Sequence, residues 1–243
     1  MSLKGKNILV LGGSGVVGSG AIYHFLHEGA NVVVVSRTDA KLQELLKGFP
    51  TKKDNLHGVV GSYETKATVQ ELYGKVKAAL KGASPDHVVS SLGFAALTPT
   101  GIADSDLKIL TDSFAESLVP SILASQVIIP DIREKEGSTY TIVSGGFAHG
   151  CYFPGAWPAT IKNAAINAFI MSLASDTEKS KVRTNGCCLH YSVAPPGADK
   201  NQMGMPPSQD SHAFGKVFLG FASKADLKGK IVCFAVKEDA EKF

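Results

Sequence analysis

The 243-residue sequence predicts an α/β protein built on one doubly wound parallel sheet of about seven strands, with helices on both faces. Three observations carry this. Apolar runs alternate with helix-period segments from end to end; the runs are apolar almost throughout rather than every second residue; and the first run feeds directly into a glycine-rich turn. Strands buried on both faces read as continuous apolar runs, and helices between them supply the crossovers a parallel sheet needs. The pattern is that of a Rossmann-type domain, expected to span residues 1–243 as one unit.

The strands are expected at "NILVLG" (7–12), "NVVVVS" (31–36), "LHGVVG" (56–61), "DHVVSSLG" (86–93), "STYTIVSGG" (138–146), "VRTNGCCL" (182–189) and "KIVCFAV" (230–236). Amphipathic stretches separate them: "GSGAIYHFLHEG", "DAKLQELLKGF", "KATVQELYGKVKAAL", a helix from Ser113 to Ile132 and one from Pro158 to Thr177. Residues 193–212 are rich in Pro, Gly and polar residues and read as a lid or binding loop. The charged tail "KEDAEKF" reads as a frayed end.

Composition narrows the function. A net charge of +3, spread along the chain without a Lys/Arg run, argues against nucleic-acid binding. The apolar run "ILVL" near the N-terminus is too short for a signal core or a bilayer span, so a cytoplasmic protein with no membrane role is expected. Cys151, Cys187, Cys188 and Cys233 show no Cys-x-x-Cys spacing and no His pair at metal-ligand spacing. They read as reduced, mostly buried thiols, and no metal site is expected. Cys187 and Cys188, adjacent on a strand, should point to opposite faces.

The first strand runs into Gly12-Gly13-Ser14-Gly15-Val16-Val17-Gly18 and then a helix. Such a turn brings backbone N–H groups close to a pyrophosphate, and the positive end of the helix stabilises its charge. A carboxylate at the end of the second strand would select a free ribose 2′-hydroxyl; this chain has Ser36-Arg37-Thr38 there instead. A guanidinium beside two hydroxyls suits a phosphate ester, so NADP(H) is the expected cofactor.

With these parts in place, the chain resembles the short-chain dehydrogenase/reductase superfamily over almost its whole length. The resemblance rests on the Gly12 to Gly18 turn, the Ser36-Arg37 pair, the strand ending "SSLG" at Leu92-Gly93, the "YTIVSGG" strand, Lys162 and "VRTNGCCL". The glycine spacing is that of divergent branches. The resemblance implies a Tyr that exchanges a proton with the substrate, a Lys four residues later that holds the nicotinamide ribose, a Ser that orients the carbonyl, and an Asn that supports a water relay. Only Lys162 matches. Ser117 falls at the Asn position, Gly145 at the Ser position with Ser144 one residue earlier, and Pro158 at the Tyr position.

Proline has no ionisable group, so the usual general acid is missing. His149, Cys151, Tyr152, His190 and Tyr191 lie on loops after the fifth and sixth strands and are alternative donors, the two histidines being apt near neutrality. Reduction of an iminium or similar electrophile needs no acid at all, because the substrate already carries the positive charge. Phe94, Phe147, Tyr152, Phe153 and Trp157 are candidates for the pocket wall, Trp157 foremost. The expected catalytic set is therefore Lys162, Ser144, Ser117, Tyr152 and His149. The expected cofactor set is Gly12, Ser14, Gly15, Val16, Val17, Gly18, Ser36, Arg37, Thr38, Leu92, Gly93 and Lys162.

The leading expectation is an NADPH-dependent oxidoreductase on a small organic carbonyl, enone or imine. Its rivals are a catalytically silent NADP(H) sensor or scaffold, and a non-redox lyase or cyclase using the same pocket. The two long helices are apolar on more than one face, through residues such as Leu118, Ile122, Phe169 and Leu173, which predicts a homodimer or homotetramer.

Overall fold

All seven expected strands form one parallel sheet in a computed structural model that describes residues 2–49, 54–201 and 208–243. In chain order these strands are β1 (Asn7–Leu11), β2 (Asn31–Ser36), β3 (Leu56–Val60), β4 (His87–Ser90), β5 (Thr139–Gly145), β6 (Arg183–Leu189) and, after a minor pair β7 (Val193–Ala194) and β8 (Gln209–Asp210), β9 (Ile231–Phe234). Their spatial order is β3-β2-β1-β4-β5-β6-β9. The order reverses at β1: the chain leaves it toward β2 and later returns to pair β4 on the other side.

Period-two alternation within each strand divides the core in two. Ile8, Val10, Val32 and Val34 point to one face, beneath α1 (Val16–His27), α2 (Asp39–Lys47), α7 (Ser211–Gly215), α8 (Val217–Ser223) and α9 (Lys237–Lys242). Leu9, Leu11, Val33 and Val35 point to the other, beneath α3 (Lys66–Ala79), α5 (Val119–Ile132) and α6 (Trp157–Asp176). Side chains of successive strand residues must take opposite faces, so an uninterrupted apolar run is buried only if both faces are covered. Cys187 and Cys188 obey the same rule, Cys187 joining the first core and Cys188 facing away from it.

The segment Lys108–Ile132 is long and apolar enough to cross a bilayer by length and composition. Its residues Ala124, Ile128 and Ile132 are instead buried against the sheet and α3. It is a compound element, α4 (Lys108–Ser113), one π-helical turn (Phe114–Leu118) and α5.

Three expectations change. The tail is not frayed: α9 is held at its start by Asp239, which accepts from the backbone N–H groups of Ala235 and Val236, and Phe243 packs against Phe221 and Phe234 beneath the Lys224 ammonium. A terminal aromatic gives a charged segment an apolar anchor that local composition conceals. Cys151 and Cys233 are exposed, whereas Cys187 and Cys188 are buried. The Pro/Gly-rich stretch contains the short parallel pair β7–β8 and leads into α7; residues 202–207 of the expected lid lie outside the described residues.

Helix α1 crosses α7 at two glycines. A Cβ on Gly20 would lie 1.9 Å from the Ser211 carbonyl oxygen, and one on Gly215 would lie 2.2 Å from Gly20. Gly74, exposed in α3, meets nothing within 4 Å. Gly20→Ala is expected to lower stability by roughly 1–3 kcal/mol, because the backbones must part. Gly74→Ala should raise it by about 0.5–1 kcal/mol through reduced unfolded-state freedom. Urea denaturation of both variants checks the pair, and equal effects would contradict the packing.

Candidate functional site

Gly12 has φ +74, and a Cβ there would lie 2.2 Å from the carbonyl oxygen of Ser91. The β1–α1 turn is thus pressed against the end of β4 where the strand order reverses, and open α/β sheets bind ligands in that crevice. Gly15 N–H donates to Gly12 O at 3.0 Å, closing the turn. Gly15 caps α1 in an extended conformation with no side-chain acceptor, and the first turn carries no acidic residue. The N–H groups of that turn therefore remain available to an anion, with the helix dipole behind them.

A cleft of about 610 Å³ opens over this turn. Of the expected cofactor residues, Gly12, Ser14, Gly15, Ser36, Arg37, Thr38, Leu92 and Gly93 line it. Val16, Val17 and Gly18 form the first turn of α1 behind its wall, and a Cβ on Gly18 would lie 2.5 Å from Gly12 O. The cleft also takes in Lys41, Tyr63, Glu64 and Glu116, which the sequence reading missed. Lys41 is a second cation in the first turn of the helix after Arg37, a position legible from the sequence. Glu116 was not legible, because the π turn that carries it to the cleft has no sequence signature.

Arg37 Nη1 lies 3.0 Å from Glu116 Oε2 across the mouth of the cleft. Both side chains are largely exposed, so the pair contributes about 0–1 kcal/mol. A phosphate ester with more charge and more acceptor oxygens would compete for that guanidinium on favourable terms. Ser36 Oγ donates to Thr38 O at 3.0 Å and shapes the turn that presents Arg37.

The residues expected to act on substrate fall outside the lined cleft and into separate groups. Lys162 is buried in α6, with Nζ donating to Phe94 O at 2.8 Å. Burial without a counter-charge lowers its pKa from the usual lysine value to about 8. Gly93, next to Phe94, has φ +126, and its missing Cβ leaves room for Ser117, whose Oγ would lie 2.4 Å from it. Ser117 stands on the π turn, a feature that often marks functional sites, and its buried hydroxyl has no hydrogen-bond partner among the described residues. Ser117, Gly93 and the Lys162 anchor at Phe94 thus converge beyond the end of β4.

Ser144 is buried on β5, directly paired in register with Cys188, and its hydroxyl meets the Cys188 thiol. Gly145, at the position where the family carries Ser, sits against the Asn163 side chain. Tyr152 is exposed and donates to Gly146 O at 3.2 Å. His149 points elsewhere, its Nε2 3.7 Å from Cys188 Sγ and 3.8 Å from Cys233 Sγ. His190 Nε2 lies 3.4 Å from the same Cys188 sulfur. Burial, with His149 beside it, holds His190 below the usual imidazole pKa, and burial pushes the Cys188 thiol up to about 11. Sequence spacing pointed to no such gathering of Cys and His; the fold assembles it from three segments.

Trp157 is not among the residues that line the cleft. It is buried, and its Nε1 donates to Ser105 Oγ at 3.1 Å, tying the start of α6 to the loop before α4. Tyr191 donates to Gln209 at 2.7 Å and Cys151 to Phe153 O at 3.2 Å. Pro158 sits in the first turn of α6, where a missing N–H leaves no bond broken.

A family model described as short chain dehydrogenase matches residues 6–203. A short chain dehydrogenase of Pseudocercospora fijiensis is 24% identical over 210 residues, which cover 84% of this chain and 63% of that relative. A 3-ketodihydrosphingosine reductase of Dictyostelium discoideum is 28% identical over 157 residues, covering 58% of this chain and 46% of its own. The chain thus spans less than two thirds of the length of these curated relatives. Among solved structures, a short chain dehydrogenase from Burkholderia cenocepacia in complex with NADP superposes with a TM-score of 0.83 at 15% identity, over 98% of this chain and 100% of that one. At that identity the likeness concerns the fold.

The buried ammonium of Lys162 gives a pH signature. Its folded pKa lies below the unfolded value, so between pH 8 and 10.5 the unfolded chain holds more protons and stability rises with pH. Relative to Lys162→Met, the wild type should gain on the order of 3 kcal/mol over that interval. Parallel urea titrations at pH 7.5 and about pH 10.5 check it; equal responses would mean that Lys162 is solvated.

Proposed function

The chain belongs to the short-chain dehydrogenase family, and from that premise we propose that it is an NADP(H)-dependent oxidoreductase acting on a small organic carbonyl, enone or imine without a tyrosine general acid. The observation that carries this reading is the cleft that runs from the open first turn of α1 to Arg37 and Lys41. The turn fits a pyrophosphate in shape and sign, and the two cations with Ser36 and Thr38 fit a 2′-phosphate.

When bound, the cofactor supplies or accepts a hydride. The chain's own residues have other tasks. Lys162, held at Phe94 O, offers its ammonium to a ribose hydroxyl. The buried Ser117 hydroxyl, with no hydrogen-bond partner among the described residues, is a donor and acceptor open to a polar ligand or water, while Ser144 meets the Cys188 thiol. Pro158 stands one helical turn before Lys162, so no phenol can deliver a proton from that place. The reading therefore favours substrates that need a hydride alone, or whose proton comes from solvent.

Pro158 also favours a second reading, a nucleotide-binding sensor without turnover. In either case a homodimer or homotetramer is proposed, burying the groove between α5 and α6, where Ile122 and Phe169 are half-buried above the core residues Ile129 and Leu173.

Calorimetric titration with NADPH, NADP⁺, NADH and NAD⁺ tests the cofactor, and an iminium, enone and ketone panel separates enzyme from sensor. Arg37→Asp should weaken NADPH by about 10- to 100-fold, the value of one or two charge-assisted contacts, while changing NADH little. Equal losses would remove the phosphate clamp. Glu116→Gln frees Arg37 and should tighten NADPH by up to about fivefold, in keeping with an exposed ion pair. Pro158→Tyr should raise ketone reduction if the rest of the site is intact.

A further inference from the structure

We propose that His149, Cys188, His190 and Cys233 form a tetrahedral zinc site that clamps the edge of the sheet. None of the four residues lines the nucleotide cleft. One ligand atom from each residue lies within 4.8 Å of the other three. Zinc bound to thiolates and imidazoles at its usual bond lengths separates sulfur from nitrogen by about 3.5 Å. The three contacts between these atoms are 3.4, 3.7 and 3.8 Å.

The pattern of contacts distinguishes a metal centre from paired hydrogen bonds. His149 Nε2 faces both sulfurs, and the Cys188 sulfur faces both imidazole nitrogens. The other two atoms close the group, because all four lie within 4.8 Å of one another around one point. The backbone holds them there. Cys188 and Cys233 are direct partners in the β6–β9 register, and His190 N–H donates to Phe234 O at 3.0 Å. Gly146 has no side chain, which lets the His190 ring close on it; a Cβ there would lie 2.6 Å from the ring. The two imidazoles stack with centroids 4.9 Å apart.

The donor set selects the ion. Two thiolates and two imidazoles in a tetrahedron suit Zn²⁺ rather than oxygen-seeking Mg²⁺ or Ca²⁺. Loading releases the two thiol protons, and the two thiolates then balance the two positive charges, leaving a neutral centre. Four protein ligands fill the coordination sphere, so the site is structural. Cys233 and His149 are exposed, which lets an ion and a chelator reach it. The bonds would join the turn after β5 and the edge strand β9 to β6, beside Ser144.

The test uses the full chain, reduced and stripped with a chelator, then titrated anaerobically with Co²⁺. Expected are intense visible bands of tetrahedral Co²⁺ with a thiolate charge-transfer band, saturating at one ion per chain and abolished by Zn²⁺. Zn²⁺ should also raise the Tm. Cys233→Ser, and separately His149→Ala on its exposed turn, should weaken Co²⁺ by about 100-fold or more, since loss of even an outer partner costs 10- to 100-fold. Cys151→Ser, outside the cluster, should leave the spectrum unchanged. A weak octahedral spectrum, or a tetrahedral one untouched in both ligand variants, overturns the proposal. Nucleotide binding plays no part in the readout, so the outcome is separate from that of the cofactor titration.

Discussion

The absence of a side chain at Gly12 is the constraint on which the rest of the molecule's chemistry depends. The β1–α1 turn and the end of β4 approach so closely that a single Cβ would collide with the Ser91 carbonyl. That approach aims the uncapped start of α1 into the crevice where the sheet changes direction. Any side chain there would push the turn outward, and the N–H groups would lose their common focus. The cleft beyond, with Ser36, Arg37 and Lys41 at one end and Gly93 at the other, inherits its position from this contact.

The electrostatics of the two ends differ in kind. At Arg37 the charge is solvated, and its partner Glu116 is exchangeable because an exposed ion pair contributes little. At Lys162 the charge is buried beside a carbonyl oxygen, with no carboxylate among the described residues to neutralise it. The first arrangement would let an anion displace Glu116 by competition and leaves the fold indifferent to the outcome. The second stores unfavourable desolvation in the folded state, which an anionic ligand nearby would relieve. Stored cost of this kind clusters at functional sites.

The sheet was legible in the sequence because its signal is local: most strands, β1 and β2 above all, are runs of β-branched and aliphatic residues, and burial on both faces follows from the run itself. The glycine turn and Arg37 were legible for the same reason, being fixed at element ends. What escaped depends on distant segments meeting. Phe243 anchors a tail that looks merely charged, Trp157 is drawn from the expected pocket wall by Ser105, and Glu116 reaches the cleft only through a π turn. The Cys/His cluster is the extreme case. Its members come from the turn after β5, from β6 and from the edge strand β9, so 39 residues separate His149 from Cys188 and no spacing rule finds them.

These assignments bear on one another through His149. A proton donor must present a nitrogen to the substrate, but His149 Nε2 is turned toward Cys188 and Cys233. Metal coordination would occupy that nitrogen fully, and His190 with it. Tyr152, the remaining phenol on the same loop, donates its proton to Gly146 O. On the proposed reading, with Pro158 in place of the family's tyrosine, the proton would then come from solvent or from the Lys162 ammonium. A clamp at the sheet edge and a hydride-only substrate are therefore consistent with one another. A ketone reductase relying on His149 would require the cluster to open, and Zn²⁺ would inhibit it.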